Sequence, residues 1–261
     1  MTLEGAGVVV LGGSSGIGLA TARMAMAAGA RVTIVGRDPS RLAQAAASLG
    51  GDVRAESADV ADREAVARIF DSLDRVDHIA ILAGEQPAAP VADTSHDLLT
   101  RALDARVWAA YNACAAALPK LHPQGSVVLC SGLSAHRPRA GRSAGAVATA
   151  AVESLARALA VELGPIRVNA VCPGPIDTPL LERVYGDRRE EAMRSVTDRL
   201  PISRLGTADE VADAICFLMR NTYVTGITLH VDGGTHAAGG WYRNPDGPGF
   251  LLGPSPVKAA I

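Results

Sequence analysis

Short apolar runs recur along the chain at residues 7–11, 31–35, 77–82, 126–130, 167–171 and 228–231. Runs of this length and composition predict buried strands. Between them lie alanine- and leucine-rich segments with helical spacing, at 16–28, 62–73, 98–121, 144–163 and 207–219. Regular alternation of strand and helix requires right-handed crossovers, and so a parallel sheet with helices on both faces. The expected architecture is therefore a single α/β domain, a doubly wound parallel sheet of the Rossmann type over residues 1–236. Its ligands would sit beyond the carboxyl ends of the strands. Residues 237–261 are rich in glycine and proline and lack periodicity, which marks an arm, a lid or a disordered tail.

The chain has 261 residues, of which 48% are hydrophobic, enough for one large core. Its formal net charge of -2 gives no broad attraction to nucleic acid or to acidic lipid, so a small-molecule partner is expected. Cys114, Cys130, Cys172 and Cys216 are far apart in apolar contexts, without a CxxC pair or a His/Cys cluster in sequence. Buried thiols are expected from this spacing, with neither disulfides nor a metal. The chain enters a strand at once, without a basic segment leading into an apolar one, and no uninterrupted apolar stretch spans a bilayer. A soluble cytoplasmic protein, with no membrane partner, is the corresponding expectation.

The first strand runs into Gly12-Gly13-Ser14-Ser15-Gly16-Ile17-Gly18 and then into an alanine-rich helix. Glycine there permits a tight turn and lets backbone N–H groups approach a pyrophosphate at the positive end of a helix. A glycine cluster can also be an ordinary turn, but strand before and helix after favour the nucleotide. The end of the second strand reads Val35-Gly36-Arg37, where an acid would select the ribose 2′-hydroxyl of NAD. A guanidinium offers parallel donors to a 2′-phosphate, and Ser14 adds a hydroxyl, so NADP is expected rather than NAD. The competing reading makes Arg37 a solvated residue opening a turn with Asp38-Pro39.

The spacing of Gly12, Gly16 and Gly18 resembles that of the short-chain dehydrogenases/reductases, and the chain fits that family up to Gly234. The resemblance places Asp59-Val60 against adenine and Ala83-Gly84 beside the cofactor ribose. It makes residues 167–178, with Pro173, Gly174, Ile176 and Thr178, the nicotinamide-side loop, and Val231-Asp232-Gly233-Gly234 the closing sheet motif. Two departures occur together: Leu11 stands for the family's threonine, and Ile81 and Leu82 for its asparagines. If these positions face one another, a polar link has become an apolar contact and no group is left unsatisfied.

The same resemblance assigns the family's catalytic positions. Residues 151–163 fix the helix register, which puts Gly145 at the tyrosine, Thr149 at the lysine, Gly132 at the serine and Arg106 at the asparagine. Neither Gly145 nor Thr149 can replace its counterpart chemically. Hydride transfer to a carbonyl still needs a proton or an electrostatic clamp at the oxygen, each ~1.4 kcal/mol of barrier being tenfold in rate. Ser131 and Ser134 lie beside the displaced serine position. Ser134 can donate a hydrogen bond, and His136 is either a proton donor near neutral pH or a loop histidine satisfied by solvent or backbone. Arg106 stands among Val107, Trp108 and Ala110, a buried setting in which arginine needs an anion: a substrate carboxylate, the cofactor, or Asp104 or another structural acid. Of the tyrosines that could supply a phenol from elsewhere, Tyr185 is the best placed: it lies between Thr178 and Pro201, where the family carries a mobile segment that covers the substrate. Family members form tetramers through the corresponding helices, and a homo-oligomer is the implied state.

The leading expectation is an NADP(H)-dependent oxidoreductase with an atypical active site, acting on a small carbonyl or alcohol. Two rivals share the fold: a lyase, isomerase or cyclase, and a catalytically silent NADP sensor or partner subunit.

Overall fold

A computed structural model of the protein describes residues 2–84, 88–181, 190, 193–194, 197 and 200–238. The strands are β1 (Gly7–Leu11), β2 (Arg31–Gly36), β3 (Arg54–Ser57), β4 (Val76–Ile81), β5 (Leu121–Cys130), β6 (Arg167–Pro173), β7 (Ile176–Asp177), β8 (Gly206–Thr207) and β9 (Thr228–Val231). Seven of them form one parallel sheet in the order β3-β2-β1-β4-β5-β6-β9, and β7 pairs with β8 separately. The order reverses between β1 and β4, which opens a crevice at their carboxyl ends.

Helices cover both faces. On one side α3 (Arg63–Asp71), α5 (Ala109–Ala117) and α6 (Ser143–Glu162) close over a core centred on Phe70, Ile79 and Val127, all fully buried. On the other, α1 (Gly16–Ala27), α2 (Pro39–Leu49) and α7 (Ala208–Arg220) bury Val10, Ile34 and Ile215. Side-chain oxygens start several of these helices. Asp62 accepts from the N–H groups of Glu64 and Ala65, both at 3.0 Å, and Thr207 with Glu210 forms a reciprocal capping box on α7.

The helix expected over 98–121 is three pieces. It begins earlier, as α4 (His96–Leu103), then loosens into a π-turn over Asp104–Trp108, and continues as α5. Leu121, expected at the end of that helix, is the first residue of β5, which pairs with Val76 across a register irregularity. His122-Pro123-Gln124-Gly125 interrupts the apolar pattern and hides the first half of this strand. The strand β3 at the sheet edge is exposed at three of its four residues, so it shows no apolar run at all.

Helix α6 is, by length and composition, long and apolar enough to cross a membrane, with a mean hydropathy of 1.4 over an 18-residue window, although charged residues interrupt it. Half of it is buried within the fold, and it carries Glu153, Arg157 and Glu162, which makes it a core helix. The terminal helix α8 (Thr235–Ala238) closes the described chain. Residues 239–261, most of the expected tail, and Tyr185 lie outside the described residues.

Candidate nucleotide and substrate site

Two neighbouring cavities, of about 290 Å³ and about 260 Å³, open at the carboxyl ends of the strands and share Ile17, Leu82, Gly84 and Thr178 in their walls. The first is lined by Gly12, Ser14, Ser15, Gly16, Ile17, Gly18, Arg37, Asp59, Val60, Ala83 and Gly84. Pro173, Gly174, Ile176 and Thr178 line the second. The predicted nucleotide residues are therefore brought together along one continuous groove.

Close backbone approach explains the glycines. Gly12 has φ +91°, and a Cβ there would lie 2.7 Å from the Ala83 nitrogen. A Cβ on Gly18 would run into the Gly12 carbonyl. Helix α1 begins directly behind this turn with no acidic residue in its first turn and no side-chain bond from Ser15, so its N-terminal N–H groups face the groove without a competing anion. Leu11 pairs in register with Ile81, and its carbonyl accepts from the N–H groups of Leu82 at 2.8 Å and Ala83 at 3.1 Å. The side chains of Leu11 and Ile81 join one buried cluster, an apolar contact between neighbouring strands.

At the far end of the first cavity Arg37 is joined by Arg41, a second guanidinium that the sequence reading did not single out. Asp38 caps α2 and stands 3.6 Å from the Arg41 guanidinium. The Ser14 hydroxyl packs against Gly36, where an added Cβ would meet it at 3.2 Å, and so stands beside the Arg37 backbone. Below the Asp59-Val60 turn, buried Asn112 donates to the carbonyls of Ala61 at 3.0 Å and Val60 at 3.4 Å. Its place on α5 gave no hint of this, since the partner turn is about fifty residues away.

The second cavity gathers Arg106, Ser131, Ser134, Arg137, Arg139 and Arg142, with Gly145 in its wall and no carboxylate among its described lining residues. Neither tyrosine nor lysine lines it among those residues. Ser134 and Thr149 hold their hydroxyls 3.1 Å apart, and Thr149 also donates to the Gly145 carbonyl at 2.9 Å. Ser131 donates to Glu153 Oε1 at 2.6 Å. On the other side of that carboxylate lies His136, with Nε2 2.9 Å from the same oxygen. His136 does not line the cavity: its ring is turned toward His230 and His236, at 4.8 and 4.6 Å between centroids.

Comparison with known proteins places the chain in a family. The model of the enoyl-(acyl carrier protein) reductase family matches residues 12–236. The chain is 35% identical over 234 residues to the 3-oxoacyl-(acyl-carrier-protein) reductase of Bos taurus, covering 86% of this chain and 95% of that protein. It belongs to the short-chain dehydrogenase/reductase family. The MalC reductase/Diels-Alderase of Malbranchea aurantiaca has a similar structure, with a TM-score of 0.84 at 28% identity over 89% of this chain and 97% of that one. An NADPH-bound short-chain oxidoreductase of Pseudomonas aeruginosa PAO1, described as containing an atypical catalytic centre, gives 0.82 at 30% identity over 88% and 96%.

Within this short-chain dehydrogenase/reductase, Arg106 has the most demanding environment. The π-turn, whose extra residue per turn re-aims a side chain, brings its guanidinium over Gly84. It is 7% exposed, donates to the Cys130 carbonyl at 3.0 Å, and leaves Nε buried without a partner. Asp104 forms no ion pair with it, and no carboxylate does so among the described residues. Burial pushes its pKa down accordingly. A buried cation in this state calls for an anionic partner.

The fold brings together in space a His/Cys group that the sequence keeps apart. Cys172 on β6, His136 after β5 and His230 on β9 converge, although they are far apart in sequence. Spacing along a chain registers such clusters only when the ligands share one element.

Proposed function

We propose that this chain is an NADP(H)-dependent oxidoreductase with an atypical active site, acting on a small carbonyl or alcohol that carries an anionic group. The observation that carries this reading is Arg106, a buried guanidinium without an acid partner among the described residues, set where the two cavities meet. A nicotinamide cofactor bound in the groove supplies the hydride. Arg37 and Arg41 hold the adenosine-side phosphate, and the first turn of α1 holds the pyrophosphate.

Gly145 and Thr149 stand at the positions of the family's tyrosine and lysine, so the oxygen that receives hydride needs another partner. Arg106 provides it. Its N–H groups stabilise the developing alkoxide in a wall of low dielectric, where such a donor acts far more strongly than in water. The alkoxide then takes its proton from water entering the cavity, and Ser134 with Thr149 orients the substrate. Arg137, Arg139 and Arg142 give the outer cavity a positive field suited to a carboxylate or phosphate on the substrate. Exposed Trp108, Tyr111, Val147 and Val161 on the faces of the π-turn, α5 and α6 support a homo-oligomer, a tetramer by family resemblance.

A second reading is a non-redox reaction in the same pocket, a lyase, isomerase or cyclase. The printed name of the MalC relative, which joins a reductase to a Diels-Alderase, favours keeping it.

The test begins with titration by NADPH and NADH of the wild type and Arg37→Asp, followed by nicotinamide fluorescence. Tight NADPH binding that the substitution weakens by tenfold or more supports the cofactor assignment. Deuterium from the nicotinamide C4 position is then followed into a panel of oxo acids and neutral ketones. Label in the oxo acid products supports the oxidoreductase, whereas substrate conversion without label transfer establishes the non-redox reading. Failure to bind either nucleotide refutes the proposal.

A further inference from the structure

Behind the substrate cavity lies a second group of side chains that hydride chemistry does not use. His136, Cys172 and His230 place one donor atom each within 4.8 Å of the others. His236 stacks on His230 at 4.3 Å between ring centroids, so three of the chain's six histidines share one spot. The other three lie elsewhere. His78 is bonded to Ser126 on the sheet, His96 opens α4, and His122 is the second residue of β5.

We propose that His136, Cys172 and His230 form a binding site for a zinc-class divalent transition-metal ion. Two imidazoles and a thiolate form a donor set of borderline softness, which suits zinc rather than magnesium or calcium. The three atoms are wider apart than in a closed site. Zinc at about 2.0–2.3 Å from each ligand requires the side chains to draw together by roughly 1 Å. Their surroundings favour that contraction. Cys172 is fully buried, and His230 Nδ1 is buried without a hydrogen-bond partner, so a polar atom there has everything to gain from a ligand.

The supporting shell is also in place. Glu153 Oε1 holds His136 through Nε2, the carboxylate–imidazole contact that orients a metal-ligating ring. Asp232 is already occupied by the N–H groups of Gly234 at 2.9 Å and His236 at 2.6 Å, so it shapes the turn rather than competing for the ion. On ligation the Cys172 thiol gives its proton to solvent and the sulfur–metal bond forms; no oxidant or reductant is involved. The bound ion ties the loop after β5 to β6 and β9. That loop carries Ser131 and Ser134 into the substrate cavity, so the ion sets the position of its wall.

The site is independent of the cofactor reading, and its test needs no substrate. Full-length, tag-free protein, stripped with chelator, is titrated with Co²⁺ and then with Zn²⁺. One Co²⁺ per chain is expected, with a thiolate-to-cobalt charge-transfer band in the near ultraviolet and displacement by zinc. Cys172→Ser should remove that band, His230→Asn should abolish tight binding, and Glu153→Gln should weaken binding on the order of ten- to a hundredfold. His96→Asn is the control that leaves binding unchanged. Zinc should raise Tm with the logarithm of its concentration in the wild type and in His96→Asn, but not in His230→Asn. Circular dichroism confirms that each variant is folded. Absence of the charge-transfer band in folded wild type, or binding that survives both Cys172→Ser and His230→Asn, overturns the proposal.

Discussion

Replacing Arg106 by methionine should stabilise the ligand-free protein while removing the function its guanidinium serves. Two opposing contributions set the magnitude. The substitution loses one charge-assisted bond, to the Cys130 carbonyl at 3.0 Å, worth about 1.5–3 kcal/mol. It also removes a guanidinium that is 7% exposed, has an orphaned Nε and lacks a carboxylate among the described residues. The effective cost of a buried ion is several kcal/mol, so relief of that cost outweighs the lost bond by about 1–3 kcal/mol. Methionine keeps the aliphatic stem and adapts to the space left. For a chain of this size the gain corresponds to a rise in Tm of roughly 2–10 °C. Scanning calorimetry on ligand-free wild type and Arg106→Met reads it directly. A fall in Tm would refute the reasoning, because it would mean that the cation is already compensated. Glu85, which follows Gly84 in sequence, would be the first acid to test, by Glu85→Gln.

Other consequences are equally specific. Gly12→Ala places a methyl 2.7 Å from the Ala83 nitrogen at φ +91°, so it should cost about 1–3 kcal/mol in chemical denaturation and abolish nucleotide binding. Asn112→Ala strips the Val60 and Ala61 carbonyls of a buried donor; a loss of about 1–3 kcal/mol is expected, and an unchanged denaturation midpoint would rule out the pinning role. Burial, aided by the Arg167 cation, lowers the pKa of His78 to about 4 from its ordinary 6.5. The unfolded chain therefore takes up the proton first: this contribution is fully present above pH 6.5 and is lost as pH falls through 4. It amounts to roughly 3 kcal/mol, and His78→Gln should flatten the fall of Tm across that window.

How far the sequence reveals the molecule depends on how local each feature is. Strands β1, β4 and β6 are legible because both of their faces are covered and apolar or small residues dominate them, with Asp77, His78, Arg167 and Asn169 as the buried exceptions. The glycine turn is legible because its reason, backbone against backbone, is contained in one loop and one helix start. Arg106 is legible as a misfit, a long cation among apolar neighbours, though the π-turn that aims it leaves no trace in the apolar pattern. Features assembled from distant elements are not legible. His136 reads as a candidate proton donor from its loop, yet Glu153, on a helix used only to set the register, holds it away from the cavity. Cys172 reads as a packing thiol until β9 and the loop after β5 bring imidazoles to it. Asn112 and Arg41 likewise acquire their meaning from partners that only the fold supplies.

The seat of Arg106 on Gly84 has a mutational consequence. A methyl at position 84 would stand 2.7 Å from the guanidinium carbon and 2.9 Å from each terminal nitrogen, so the end of the Arg106 side chain would have to give way. Gly84→Ala should be disruptive in the present protein but mild once position 106 carries a shorter side chain. Substitutions at these two sites are thus expected to be epistatic, with an alanine at position 84 better tolerated once the arginine has been replaced by a shorter side chain.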